Sequence, residues 1–395
     1  MKYQGLCIGI PKEIMEGENR VAATPTTVSR FVEEGANVVV QEGAGLGAFI
    51  EDHEYAAAGA RMEADVEKIF QEADILLKVK EPMVNETLRK HEVDLMHKGQ
   101  VLVTFLHPAN PGNHGMVNAL AEKGVVSLSL DSIPRISRAQ SMDALTSMST
   151  IAGYKSVISA SVMLPKFMPM VGTAVGMIQP AKIFVVGAGV AGLQALATAK
   201  RLGAVVYAAD VRPEAAEQAK SLGAKIVETG IPPDQAVGEG GYAKHLPDHL
   251  IQSEREAFRD ILRDIDVVVL SALVPGRQAP ILVTEAMVES MPRGSIIEDI
   301  AIDQGGNCSL TEPGKVIKKH HVIINGTKNI PGSVPVTATH MFAKNIMNFV
   351  AILAKDGRID LDMNDEIVRS AMVTLDGKLV HEGALEAIKA MEGHA

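Results

Sequence analysis

Residues 187–192 read Gly-Ala-Gly-Val-Ala-Gly, and Asp210 follows about 20 residues on. An apolar run, Ile183-Phe184-Val185-Val186, precedes the glycines, and a helical pattern over Ala191–Leu202 follows them. In that setting G-x-G-x-x-G is a cradle for a pyrophosphate. Gly187 permits a tight turn, Gly189 lets backbone approach the phosphates, and Gly192 lets helix and strand pack closely, while Val190 opens the helix whose amino end attracts the charge. A carboxylate at Asp210 accepts hydrogen bonds from both ribose hydroxyls and repels a 2′-phosphate, so NAD(H) is favoured over NADP(H). Arg212, two residues later, is of the type that hosts such a phosphate.

A second group of polar residues falls in loops or at strand ends. Arg20 follows Glu18-Asn19, Lys80 ends the run Leu76–Val79, and His107 ends the run Val101–Leu106. Asp303 stands at the end of Ile296–Ile302, before Gln304-Gly305-Gly306. Ligands of open α/β sheets bind beyond the carboxyl ends of the strands. Two cations for a substrate carboxylate, a histidine titrating near neutrality and a facing carboxylate suit hydride transfer to or from an amino or keto acid. A third group, Arg135, Gln140 and Asp143, opens a long helical pattern, where Asp143 is equally suited to capping the helix.

These residues require elements that hold them. Strands are expected at Cys7–Ile10, Asn37–Val40, Ile75–Val79, Val101–Phe105 and Val125–Leu130, with helices at Thr26–Glu34 and Gly115–Lys123 between them. A second block has strands at 183–186, Ala204–Ala209, Asp266–Leu270, Ser295–Ile302 and His321–Ile324. Strands alternating with helices imply parallel βαβ units. Long helical patterns over Asp143–Met163 and Val336–Lys355 flank the second block. The expected fold is therefore α/β: two Rossmann-like, doubly wound parallel-sheet lobes linked by long helices, with a cleft between them. The expected domains are 1–142 plus 334–395, discontinuous, and 143–333, which binds the dinucleotide. The glycine-rich run Gly238–Tyr242 breaks the periodicity and reads as a mobile loop.

Composition narrows the function. The chain has 395 residues, 47% of them hydrophobic, and a net charge of −10, which opposes binding to a nucleic-acid backbone. Two cysteines, Cys7 and Cys308, supply neither a disulfide framework nor metal-ligand spacing, so no metal is expected and a reducing compartment is. No signal-peptide pattern opens the chain. The most apolar stretch, Ser156–Ile178, carries Pro165, Lys166 and Pro169 and is rejected as a membrane span. A cytoplasmic protein is expected.

The chain resembles, over essentially its whole length, the NAD(H)-binding soluble component of proton-translocating NAD(P) transhydrogenases, and less closely the L-alanine dehydrogenases. The segment Arg135–Asp143 resembles the transhydrogenase loop that contacts nicotinamide, which implies that Arg135, Gln140 and Asp143 hold the carboxamide and ribose. Gly240-Gly241-Tyr242-Ala243-Lys244 looks like the mobile loop, with Gly241 and Tyr242 closing over the nucleotide. Ala272-Leu273-Val274-Pro275-Gly276 and Gly305-Gly306-Asn307-Cys308 are also similar to the family, placing Leu273 near the cofactor. The resemblance implies a homodimer, and separate NADP(H)-binding and membrane-spanning subunits through which the chain is peripheral to the cytoplasmic membrane. Lys80, His107 and Asp303 depart from the usual transhydrogenase pattern and, together with Arg20, match the set that processes substrate in alanine dehydrogenases; Thr146 stands where serine is usual. An NAD-dependent amino-acid dehydrogenase is thus the alternative enzyme, and a non-catalytic NAD sensor a third reading.

Overall fold

The computed structural model describes residues 1–238, 244, 246–274 and 278–392. The chain divides into two compact units, Met1–Met148 with Gly332–Ala395, and Ser149–Pro331.

The first unit is built on an eight-stranded sheet. Six parallel strands run in the order Val126–Ser129, Val101–Thr104, Ile75–Leu77, Cys7–Ile10, Asn37–Gln41 and Arg61–Glu63. Their β-branched and leucine side chains are buried on both faces, as parallel strands covered by helices require. Helix Pro25–Glu33 starts where Thr24 and Thr27 form a capping box with Pro25 in the first turn, and helix His114–Lys123 ends at Gly124, whose φ of 72° is left-handed. Phe70, Leu76, Leu102 and Leu120 lie in one fully buried cluster over the sheet. Full burial of each contributes about 1.5–3 kcal/mol.

Beyond the helix Pro335–Val350 the chain adds elements that the hydrophobic pattern did not reveal. Met372–Leu375 pairs antiparallel with Val126–Ser129, and Lys378–Leu379 pairs with Met372–Leu375 as the sheet's outer strand. The helix expected to reach Lys355 stops at Val350, and Asp356 and Gly357, with φ of 50° and 75°, then turn Ala354–Lys355 back onto Arg358–Ile359.

The second unit holds a seven-stranded sheet, six strands of it parallel. The order is Lys225–Ile226, Val205–Ala209, Lys182–Val186, Val267–Leu270, Ile296–Asp299 and Val322–Asn325, closed by antiparallel Val316–Lys319. The order reverses at Lys182–Val186, the strand that feeds the glycine motif, and such a switch point is where doubly wound sheets bind ligands. Phe184 and Phe258 meet edge to face at 5.2 Å in the core on one side of this sheet. The strand expected to run to Ile302 ends at Asp299. The Asp299 carboxylate accepts the Asn307 and Cys308 amides and the Thr311 hydroxyl, so the chain leaves the sheet in a 3-10 turn, Ile300–Gln304.

Among the described residues no helix is long and apolar enough to cross a membrane. Within Ser156–Ile178, the helix Ala144–Met163 ends and the chain forms a two-stranded hairpin, Val171–Thr173 with Gly176–Ile178.

Candidate functional site

The glycine loop is built as a cradle. Gly187 has φ 89°, and a Cβ there would lie 2.9 Å from the Ala272 amide nitrogen, so a side chain meets both strain and backbone. A Cβ on Gly192 would lie 1.9 Å from the Gly187 carbonyl oxygen. The Ser271 hydroxyl donates to that same carbonyl at 2.8 Å and steadies the turn. From the long helix Ala144–Met163, Gly153 approaches so closely that a Cβ would fall 2.0 Å from the Ala191 carbonyl oxygen. Each of these three glycines meets backbone where a side chain would begin.

Gly189 is the exception. Gly189 is the N-cap of helix Val190–Arg201 and makes no side-chain capping bond to the first-turn amides. A Cβ on Gly189 would approach nothing nearer than an Arg212 guanidinium nitrogen at 3.8 Å. A helix amino end without a side-chain cap, beside a glycine that leaves room, fits the pyrophosphate of a dinucleotide.

Asp210 lies just beyond the neighbouring strand, with its side chain only 4% exposed. Its Oδ2 accepts the Ala188 amide at 2.7 Å, tying it to the loop. The Arg212 guanidinium folds back on it in a fork, Nε to Oδ1 at 2.9 Å and Nη2 to Oδ2 at 2.7 Å. Charge-assisted forks of this kind are directional, and this one fixes the carboxylate where the sequence motif places a ribose ligand. Behind it lies Glu254, a buried carboxyl on helix Asp248–Leu262 that no sequence motif marks. Burial and then the charge of Asp210 push its pKa up to about 7.

Leu273, 39% exposed, follows the strand Val267–Leu270. The adjoining Ala272 is clamped by Asn307, which accepts the Ala272 amide at 3.0 Å and donates to its carbonyl at 2.9 Å. Asp299 in turn holds the Asn307 amide, so the Asn307–Cys308 motif is a brace for the residues around Leu273. Gly241 and Tyr242, with Gly240, Ala243, Pro275 and Gly276, lie outside the described residues.

The first unit assembles a different centre. The Asp131 carboxylate accepts the backbone amides of Leu106 and His107 at 2.9 and 2.7 Å, and its other oxygen is 2.8 Å from His107 Nδ1. Those amide bonds hold His107 at φ 45°, a conformation that costs energy in a non-glycine residue and persists only where its surroundings enforce it. Burial works against the imidazolium, yet the Asp131 charge and hydrogen bond outweigh it and hold the His107 pKa above its ordinary value. Burial likewise opposes ionisation of Asp131, but His107 and the Ser129 hydroxyl overcome it and hold the carboxyl at about 2. A histidine oriented through Nδ1 by a carboxylate keeps Nε2 for proton transfer.

Lys80 stands close enough for its charge to oppose that of His107. Its position follows from a buried triad: Lys78 Nζ reaches Glu92 at 2.9 Å and Glu13 at 3.4 Å, while Glu13 accepts the Val79 and Lys80 amides at 2.6 and 3.3 Å. Arg20 is 3% exposed and directed inward, its Nε 2.7 Å from Glu18 and its Nη1 3.0 Å from the Met148 sulfur. Asp143 caps the long helix, accepting the Thr146 amide at 2.7 Å and its hydroxyl at 2.6 Å. Arg135 and Gln140 are exposed beside it, and Arg138 anchors the segment by a fork to Asp365. The structure thus gathers Lys80 and His107 with Asp131, a residue that carries no signal of its own in the sequence. Asp303 lies in the second unit, exposed on the 3-10 turn.

Two domain models match the chain: the alanine dehydrogenase/PNT N-terminal domain over residues 9–152 and the alanine dehydrogenase/PNT C-terminal domain over residues 156–382. The first part of NAD(P) transhydrogenase subunit alpha from Rhodospirillum rubrum is 43% identical over 380 residues, covering 95% of this chain and 97% of that one. Alanine dehydrogenase of Methanococcus maripaludis is 32% identical over 97% of this chain and 96% of its own length. The crystal structure of transhydrogenase from Sinorhizobium meliloti superposes with a TM-score of 0.82 at 38% identity, covering 95% of this chain and all of that one. Both domains are present in order along one chain, and it is a member of the alanine dehydrogenase/PNT family.

Proposed function

We propose that this chain is the NAD(H)-binding component of an NAD(P) transhydrogenase, passing hydride to NADP⁺ held by a partner subunit. The observation that carries the proposal is the open helix end at Gly189, framed by Gly187 and Gly192, with Asp210 tied to the same loop. NADH supplies the hydride; what the protein supplies is position. Gly187, Gly189, Val190 and Gly192 receive the phosphates, Asp210 the adenosine ribose with Arg212 behind it, and Leu273 packs on the bound nucleotide. Arg135, Gln140 and Asp143 hold the nicotinamide end. Gly241 and Tyr242, outside the described residues, close over it. Direct hydride transfer draws little on acid–base groups and much on orientation.

The 43% identity to a protein named as one part of a divided alpha subunit supports separate NADP(H)-binding and membrane subunits, and with them a chain on the cytoplasmic membrane surface coupled to proton translocation. We also propose a homodimer. Phe167, Met170, Val175 and Met177 expose apolar surface on and before the hairpin Val171–Ile178, with Val175 at 93%, and a second copy would cover it.

The His107–Asp131 pair beside Lys80 favours a second reading, an NAD-dependent amino-acid dehydrogenase. There Lys80 binds the substrate carboxylate, with Arg20 held inward on Glu18 as a supporting charge, and His107 and Asp303 manage protons. The two are separated by assay. The purified chain should reduce no NAD⁺ with L-alanine at alkaline pH, and should transfer hydride from NADH to an NADP⁺ analogue only when its partner subunits are added. Rapid alanine-dependent NADH formation would replace the first reading with the second.

A further inference from the structure

A groove of about 260 Å³ opens in the second unit between helix Asp248–Leu262 and helix Glu285–Ser290. Arg255, Arg259 and Arg263 line one wall, and Thr284 and Ser290 belong to the other. The arginines recur every four residues, so they form a row down one helix face, stepping about 6 Å each time and about 12 Å in all. No carboxylate lines the groove among the described residues. Carboxylates flank the groove: Glu285 pairs with His320 at 2.9 Å and Asp264 with Lys182, Glu256 and Asp260 reach the lining residues Gln252 and Arg263 at 3.2 and 3.6 Å, and Glu289 is exposed beside Ser290. Arg255 is fixed in place, its Nε and Nη2 both donating to the Ile281 carbonyl at 2.9 and 2.6 Å. Arg259 and Arg263 are exposed.

On a chain of net charge −10, the groove lining itself presents three arginines and no carboxylate, although acidic residues alternate with the arginines along the helix. The row of arginines is too long for a single phosphate, whose oxygens one or two guanidiniums satisfy, and the groove is small for a nucleotide-sized ligand. The 6 Å step instead matches an extended chain, in which every second side chain lies on one face about 6.6 Å apart. We infer that this groove docks an extended acidic segment of a partner protein, with carboxylates at alternate residues facing Arg255, Arg259 and Arg263. Binding of this kind is steered by charge and weakened by salt. None of the groove's lining residues belongs to the glycine loop or is Asp210.

The test is fluorescence anisotropy with a dye-labelled peptide in which glutamate alternates with serine, titrated with the full chain. Saturable binding is expected, falling at least about tenfold in Arg259→Glu/Arg263→Glu and weakening as NaCl rises from about 50 to about 200 mM. Lys315→Glu, a charge reversal at an exposed residue paired with Glu312, should leave binding unchanged. Arg259→Gln/Arg263→Gln gives a milder loss and serves if the reversed variant unfolds. Absence of saturable binding, equal affinity in both arginine variants, or an equal loss in Lys315→Glu would overturn the proposal. Displacement of the peptide by an equal concentration of tripolyphosphate would also overturn it, marking a small-anion site.

Discussion

Gly189 and Gly192 stand three residues apart, and their substitution by alanine separates cofactor binding from folding. At Gly192 an added methyl falls 1.9 Å from the Gly187 carbonyl oxygen, a backbone atom that no rotamer change can move. The turn must shift, and overpacking of this kind costs about 1–3 kcal/mol. At Gly189 the backbone is extended, with φ −73°, and the methyl meets only Arg212 at 3.8 Å. Alanine adopts that conformation without strain and reduces the freedom of the unfolded chain, so stability should hold or rise by up to about 1 kcal/mol. The same methyl occupies the space through which a pyrophosphate reaches the helix amino end. Loss of one charge-assisted hydrogen bond, about 1.5–3 kcal/mol, corresponds to a roughly ten- to hundredfold weaker NADH affinity. Urea unfolding gives the first quantity and NADH fluorescence titration the second. Gly189→Ala should be stable and bind poorly; Gly192→Ala should lose on both counts. Wild-type NADH affinity in a folded Gly189→Ala chain would refute the phosphate assignment.

Replacing Asp210 with alanine should weaken NADH binding and narrow the preference over NADPH, since Arg212 loses its carboxylate; a titration showing unchanged affinity for both would contradict the ribose role. Lys78→Met leaves Glu13 and Glu92 buried without their shared cation, and urea unfolding should show a loss of about 3–5 kcal/mol. The His107–Asp131 pair sets a pH window. Asp131, lowered, stabilises the fold above its ordinary value, a contribution lost as pH falls toward about 2; His107, raised, stabilises it below about 6.5, a contribution lost as pH rises through its elevated value. Asp131→Asn should therefore lower the His107 titration midpoint followed by NMR, and an unmoved midpoint would show that the carboxylate does not control the imidazole.

Local sequence by itself determined the glycine loop. A glycine that must take a positive φ, an apolar strand before it and a helix after it are all short-range requirements, and they left Gly187, Gly189, Gly192 and Asp210 legible within one βαβ unit. Capping was equally local: Thr24 and Gly124 mark helix ends because the chain's own amides and carbonyls need partners there. Only the tertiary structure decided what surrounds these residues. Gly153 gives no sign of its role within its own helix, since the carbonyl it must clear belongs to Ala191 on another. Asp131 became the partner of His107, and Glu254 the neighbour of Asp210, through pairing and packing of segments distant in sequence. Arg20 looks from its sequence like a ready cation, and the fold turns it inward onto Glu18. The strand that stops at Asp299 carries a strand-like pattern onward to Ile302; four hydrogen bonds from Asn307, Cys308 and Thr311 end it. Propensity acts within a few residues, whereas a buried polar group takes whichever partner the fold brings within about 3 Å.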